Sequence, residues 1–398
     1  MTTNTTHAVR TRGRRTAAGS IAALAVSALL LGGCAATPES GPDELVLVAG
    51  VRQGSPAIPT ALVTQALSRL GDDGDHLAVV SSDGVPRIVF DLVLRDVPPN
   101  LGDREDYLED LAALVGQAID GAAATTPETD TNEAIALAGS VFSVGPGTKR
   151  IVVLDSMLTT AGAFSMLGGG LYADPTDRVA ALQDGNALPD LSGITVQVPR
   201  LGVVVDPQPP LTEDARSSLE SQWGAYFTAA NAESVEFGGA SLTATPQSAK
   251  TLPTVTPVPI ERPEPVTAAC RGTLPDASIG FRGDEAVFLD DGAATATIAT
   301  VVSAISGCTG EIIVEGSTSS VGGQDGNVDL STRRGRAVAD RIAAALGVPA
   351  ETIRVIGYGA EWPCRVPDRD GSGALVESAA AANRTVVVSR GVAPGTCA

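Results

Sequence analysis

Residues 316–342 read GSTSSVGGQDGNVDLSTRRGRAVADRI, a run of small residues leading straight into a helical pattern. Leu330, Val338, Ile342 and Leu346 recur at intervals of four or eight and predict the buried stripe of a helix over 328–346. Arg334 lies on that stripe, four residues after Leu330 and four before Val338. A buried guanidinium without a partner is costly, so an anion held in or near the loop is its expected partner. An acid of the chain itself already on Arg334, with the neighbouring crevice shut, would overturn that expectation and leave only a scaffold. Arg333 and Arg336 point elsewhere, toward solvent, and Arg336 is spaced to meet Asp340 one turn on. Gly316, Gly322, Gly323 and Gly326 permit unusual backbone angles and close approach of a ligand. Asn327 is the expected helix N-cap, and amides left free there could receive a carboxylate. A purely structural loop fits these residues equally well.

Working outward, residues 270–391 predict a compact α/β sandwich of βαβαββ type. ASIGFRGDEAVFL reads as a strand region, AATATIATVVSAISG as a helix and EIIVEGST as a strand. After the 328–346 helix come the strand TIRVIGYGA, a loop of about twenty residues, and NRTVVVSR as the closing strand.

The stretch EGSTSSVGGQDGNVDLSTRRGRAV resembles the OmpA-like peptidoglycan-binding domain. That family carries a GHTD-type loop, an N-x-x-LS-x-x-RA-x-x-V helix start, a glycine-rich strand end and a late NR pair. Here Gly316, Thr318, Gly322, Asn327, Leu330, Ser331, Arg334 and Val338 stand in register, followed by Gly357-Tyr358-Gly359-Ala360-Glu361 and Asn383-Arg384. The resemblance covers about 120 residues. It implies a non-catalytic module that grips the peptide stem of peptidoglycan, with Thr318, Ser319, Asn327, Arg334, Asn383 and Arg384 at the site positions. Arg334 would make charge-assisted bonds to a carboxylate. The chain departs from the family at Ser317 for His, Ser319 for Asp and Gly335 for Ala. Serine cannot pair with an ammonium, so the resemblance implies a site that holds a stem-peptide carboxylate and holds the amine weakly or not at all. Asp325 is a candidate replacement for the missing charge.

Four cysteines lie in the last third, Cys270, Cys308, Cys364 and Cys397. Free thiols and three pairings are open on count alone, and no pair has the close spacing of a zinc knuckle. In a βαβ unit of the implied fold, Cys270 and Cys308 lie at one edge of the sheet. Cys270–Cys308 is therefore the preferred bridge, leaving Cys364–Cys397 to tie the long loop to the tail.

Residues 241–268 hold six Pro between 246 and 265 and predict an extended, semi-rigid spacer of on the order of 85 Å. Before them, residues 44–240 alternate apolar strand runs such as ELVLVAGV and KRIVVLDS with helical patterns such as DYLEDLAALVGQAIDGA. That alternation predicts a three-layer α/β domain around a mainly parallel sheet. The opening strand, Thr131 and Asp155 give it a resemblance to von Willebrand factor A-type domains. The D-x-S-x-S element is missing: the first strand continues Ala49-Gly50-Val51-Arg52-Gln53-Gly54-Ser55. Without that Asp a magnesium site lacks its main hard oxygen ligand, so no metal or other cofactor is expected. LGGGLYADP and GVVVDPQPPL are loops near strand ends, where α/β folds bind ligands, but neither carries a chemical motif. His76 and His7 are the two histidines, which leaves a Ser-His-Asp triad poorly supplied. An enzyme is not expected; a protein partner for residues 44–240 belongs to the alternative reading, a membrane-anchored protein-binding or adhesion scaffold in which the OmpA-like domain only positions the first domain.

At the N-terminus, Arg10, Arg12, Arg14 and Arg15 precede an apolar stretch that ends Leu31-Gly32-Gly33-Cys34. The pattern is that of a lipoprotein signal (residues 1–33) with Cys34 as the lipidated residue and residues 34–43 as a tether. An exported protein, lipid-anchored to the bacterial membrane and facing the cell wall, follows. The 398 residues are 43% hydrophobic with a formal charge of −19. Residues 1–33 contain four Arg and no acid, so the rest is more acidic still. That charge excludes general binding to nucleic acid or anionic lipid surfaces.

Overall fold

In the N-terminal α/β domain, strand β1 (Glu44–Ala49) is buried along its whole length, as a central parallel strand must be. The structure is a computed structural model and describes residues 41–238, 244–246, 251–282, 285–371, 373 and 375–397. The expected signal segment, Cys34, His7 and the start of the tether lie outside the described residues.

After β1 come α1 (Thr60–Leu67), β2 (His76–Ser81), β3 (Ile88–Val93), α2 (Leu101–Gly121), α3 (Thr131–Val141), β4 (Lys149–Val153), a 3-10 segment (Leu167–Tyr172), α4 (Pro175–Asp184), β5 (Ile194–Val198), α5 (Glu213–Ala229) and β6 (Ser234–Phe237). The sheet order is β3-β2-β1-β4-β5-β6, and every neighbouring pair is parallel except β2–β3. Alternate residues of β1 feed two cores. Leu45 and Leu47 pack with α1 and α2 through Leu67, Leu111 and Val115, while Val46 and Val48 face α3, α4 and α5. In the second core Phe164, Trp223, Tyr226 and Phe227 form an aromatic cluster with centroid spacings of 4.9–5.8 Å. The expected three-layer domain is present.

The C-terminal domain runs β7 (Val266–Ala268), β8 (Arg271–Pro275), α6 (Asp276–Ile279), α7 (Asp291–Ser306), β9 (Ile312–Ser317), α8 (Gln324–Leu346), β10 (Ile353–Gly357), α9 (Glu377–Asn383) and β11 (Thr385–Arg390). Its sheet order is β10-β9-β11-β8-β7; β9–β10 is parallel and the other pairs antiparallel. Helices α7 and α8 cover it with Ile298, Val301, Val338 and Ile342. Bridges Cys270–Cys308 and Cys364–Cys397 are both formed.

Two expectations change. Among its described residues ASIGFRGDEAVFL is not a strand: the strand before it ends at Pro275, residues 276–279 make one helical turn, and a Phe281–Phe288 bridge follows. Gly280 at φ 62° terminates that turn in a conformation glycine favours. The Pro-rich segment is also not an extended spacer where it is described. It is strapped to the first domain: the Val255 amide donates to the Gln53 carbonyl at 2.9 Å. Gln208 holds the Val258 backbone at 2.7 and 3.1 Å. Arg262 pairs with both oxygens of Asp214 at 2.7 and 2.8 Å. Val258 is buried in the first domain's core. Residues 40–398 accordingly form one compact unit.

Candidate functional site

Helix α8 begins at Gln324, one turn earlier than expected, with Gly323 as its N-cap. Asn327 is therefore not the cap. It lies inside the first turn, and its side chain reaches back to the Val321 carbonyl at 2.8 Å, closing the small-residue loop. Helix and sheet meet with almost no clearance at Gly316, where a Cβ would lie 2.2 Å from the Ser331 carbonyl oxygen. Gly359, at φ 56°, accepts from the Thr318 amide at 3.0 Å. Its own amide donates to Ser331 Oγ at 3.0 Å. These contacts fix the loop against the strand end.

On the stripe of α8, Leu330, Val338 and Ile342 are buried, and so is Arg334, at 3% exposure. Arg333 is exposed and pairs with Asp329 at 2.8 Å. Arg336 donates to the Ala350 carbonyl, past the end of the helix, at 3.3 Å rather than meeting Asp340.

The partners of Arg334 are acids of the chain itself. Nη2 donates to Asp174 Oδ2 at 2.8 Å, across 160 residues and from the other domain. Nη1 lies 3.8 Å from Asp276 Oδ1 on α6, and Nε donates to the Glu285 carbonyl at 3.1 Å. The guanidinium also stands 5.0 Å over the Phe281 ring. Asp325, the candidate for the missing charge, is exposed on the first turn of α8; the charge comes from Asp174 and Asp276 instead. The crevice beside Arg334, lined also by Ser317, Ser331 and Arg384, has a volume of about 10 Å³. That is at most one water's worth of space.

Asp174 does two jobs. Its Oδ1 accepts the Thr176 amide at 2.9 Å and caps α4, with Pro175 at N1. Its Oδ2 is thereby aimed out of the first domain at Arg334. Asp177, one turn on, faces the same cluster. Burial, then the Asp174 carboxylate, push its pKa up to about 7, with Arg384 and Arg334 pulling the other way. Burial likewise raises Asp276, against the pull of Arg334. For Arg334 burial works downward, but Asp276 and Asp174 outweigh it and raise its pKa.

Of the remaining expected site residues, Arg384 joins this cluster, buried at 1% exposure. Asn383 does not. Its side chain brackets the Val366 backbone at 2.8 and 2.9 Å and touches Asp368 at 3.1 Å, holding the long loop. Thr318 and Ser319 are buried, and Thr318 Oγ1 has no hydrogen-bond partner among the described residues. Asp177 and Asp276 carry no signal in the sequence, and Asp174 lies in the LGGGLYADP loop, which carries no chemical motif. That loop is the interface, with the 3-10 segment packed against α6 and α9.

In the first domain Thr131 opens α3 and Asp155 follows β4, close enough to β1 that a Cβ on Gly50 would lie 2.3 Å from Asp155 Oδ2. Arg52 is buried there, donates to the Ser82 carbonyl and feels Asp155, Asp83 and Glu128. A guanidinium thus supplies the positive charge at this strand end. His76 links three strands, 2.7 Å from Asp91 and 3.5 Å from Glu44.

Residues 281–372 match the OmpA family, so the C-terminal domain is an OmpA-family domain. Among solved structures, the OmpA-like domain of FopA1 from Francisella tularensis subsp. tularensis SCHU S4 is 22% identical and has a TM-score of 0.22; the match covers 31% of this chain and 76% of that one. The cell wall anchor of the T6SS from Pseudomonas aeruginosa is 20% identical with a TM-score of 0.25, covering 32% and 87%. The peptidoglycan-associated lipoprotein from Burkholderia pseudomallei is 18% identical with a TM-score of 0.20, covering 29% and 87%. No curated protein matches the chain. Among the described residues no helix is long and apolar enough to cross a membrane.

Proposed function

We propose that the chain is a non-catalytic lipoprotein of the bacterial cell envelope, held to the membrane by lipid on Cys34, whose C-terminal domain binds the peptide stem of peptidoglycan. The observation that carries this reading is Arg334 on a helix of an OmpA-family domain, buried and holding a carboxylate at 2.8 Å. The socket is chemically a carboxylate receptor, and a stem-peptide carboxylate is a ligand of that class. With Ser319 in the loop, recognition rests on the carboxylate and not on an ammonium. Binding requires the crevice to open, because Asp174 now fills it.

A second reading is favoured by that same closure. If the domains never part, the OmpA-like domain only positions the first domain, which then binds a protein partner on the membrane surface. Sedimentation of the full chain with purified sacculi separates the two. Pelleting that is lost in Arg334→Ala supports wall binding; equal recovery of wild type and Arg334→Ala in the pellet, or none of either, supports the scaffold.

A further inference from the structure

The first domain presents a shaped anionic knob to the OmpA-like socket. Asp174, buried at 1% exposure, enters it with one oxygen while the other caps α4. Asp177 follows on the same face of the helix, near Arg334 and Arg384. Of the charged side chains gathered here, the C-terminal domain contributes Arg334, Arg384 and Asp276, an excess of one positive charge, and the first domain contributes the acids Asp174 and Asp177. Opposite charges thus meet across the contact, and the remaining crevice of about 10 Å³ leaves no room for a further carboxylate. Apolar packing flanks the ions: Ala277 joins the first domain's core, and a Cβ on Gly169 would sit 3.8 Å from it. Beside this plug a groove of about 580 Å³ runs between Tyr172, Asp214, Arg262 and Phe281. Phe281 lines both the groove and the closed crevice, so the plugged socket borders open space.

We propose that the Asp174-Pro175-Thr176-Asp177 turn is a resident competitor for the OmpA-like socket, an internal acidic ligand that a carboxylate-bearing peptide must displace from Arg334. This rests on the wall-binding reading above. The loop serine is consistent with it: a socket filled by an aspartate, which carries no ammonium, has no use for an acid at position 319. Binding of the external carboxylate and docking of the first domain are then mutually exclusive, and the apparent affinity for the wall is reduced by the fraction of molecules that are closed.

The test uses the full chain in detergent, with purified sacculi as the probe and hydrogen exchange at residues 172–178 as the readout of docking. Asp174→Asn removes the charge that meets Arg334 while Asn keeps the helix cap. Faster exchange at 172–178 and roughly tenfold more pelleting than wild type are expected, with pelleting lost when Arg334→Ala is added. Ala277→Gln wedges the interface without touching the five charged side chains and should give the same gain. If wild type and the Asn variant pellet equally, and both lose it with Arg334→Ala, wall binding stands and the competition is overturned. If exchange rises but nothing pellets, the wall-binding reading itself has failed. Unchanged exchange in both the Asn variant and Ala277→Gln, with no gain in pelleting, overturns the competitor.

Discussion

Arg52 and Arg334 are both buried beside acids, and they differ in where the acids come from. Arg52 meets Asp83, Glu128 and Asp155 of its own domain, and burial still lowers its pKa. Arg334 meets Asp174 of the other domain and Asp276 of its own, and its pKa is raised against burial. The first is a strut that completes a strand end and cannot be released without unfolding its surroundings. The second is half of a joint whose other half can leave into water. A buried charge is therefore costly to orphan in one place and only costly to keep docked in the other.

The largest expected effect falls on the joint. Asp174→Asn takes the nearest carboxylate from a buried guanidinium, leaving Asp276 at 3.8 Å, a loss of up to about 3–5 kcal/mol while the domains stay docked. Parting relieves it, so calorimetry should show two separate unfolding transitions where wild type shows one. Survival of a single transition at the wild-type temperature would make the joint a strut like Arg52. Next, Arg52→Met leaves the Ser82 carbonyl unpaired and should cost about 1–3 kcal/mol, read by urea unfolding with Trp223 fluorescence and without any splitting of transitions.

Acidity sharpens the same contrast. Asp177 binds its proton up to about pH 7 when docked, against an ordinary value of 3.8. The docked state holds more protons in that interval, so docking is firmest at the acid end and weakens as pH rises through 7. In the first domain, burial works against Asp83, yet hydrogen bonds from Thr125, Gly84 and Thr126 hold it at about 2. Its contribution is full above pH 4 and is lost as pH falls through 2. Once the intrinsic base-catalysed rate is divided out, protection at residues 172–178 should accordingly be greater at pH 5 than at pH 8, while that of the Asp83 turn is unchanged over that range. The smallest effect belongs to Arg333, whose exposed pair with Asp329 should cost only about 0.3 kcal/mol when cut to Ala.

Much of this was legible in the sequence, and what was not has physical causes. The stripe of Leu330, Val338 and Ile342 gave the helix its buried face, and the position of Arg334 on it announced a buried ion. The partner could not be read, since Asp174 lies 160 residues away and carries only the local signature of a helix start, Asp followed by Pro. Asn327 misled because it resembles a cap while its amide serves the loop within. The proline-rich segment misled for a similar reason. Its composition fixes an extended backbone, but whether extended chain stands free or lies on a surface depends on acceptors elsewhere, here Gln53 and Gln208. Ser319 for Asp was visible as a departure and becomes meaningful only once an internal acid is found in the socket.

That laid-down segment has a mechanical side. Residues 251–265 hold about 45 Å of contour at 3.1 Å per residue, stowed against the first domain by backbone bonds to Gln53, the Gln208 clasp on Val258 and the Arg262–Asp214 pair. Each fastener is small, so a pull along the chain would undo them one after another, and the slack they release would lengthen the distance the C-terminal domain can travel before either fold is strained.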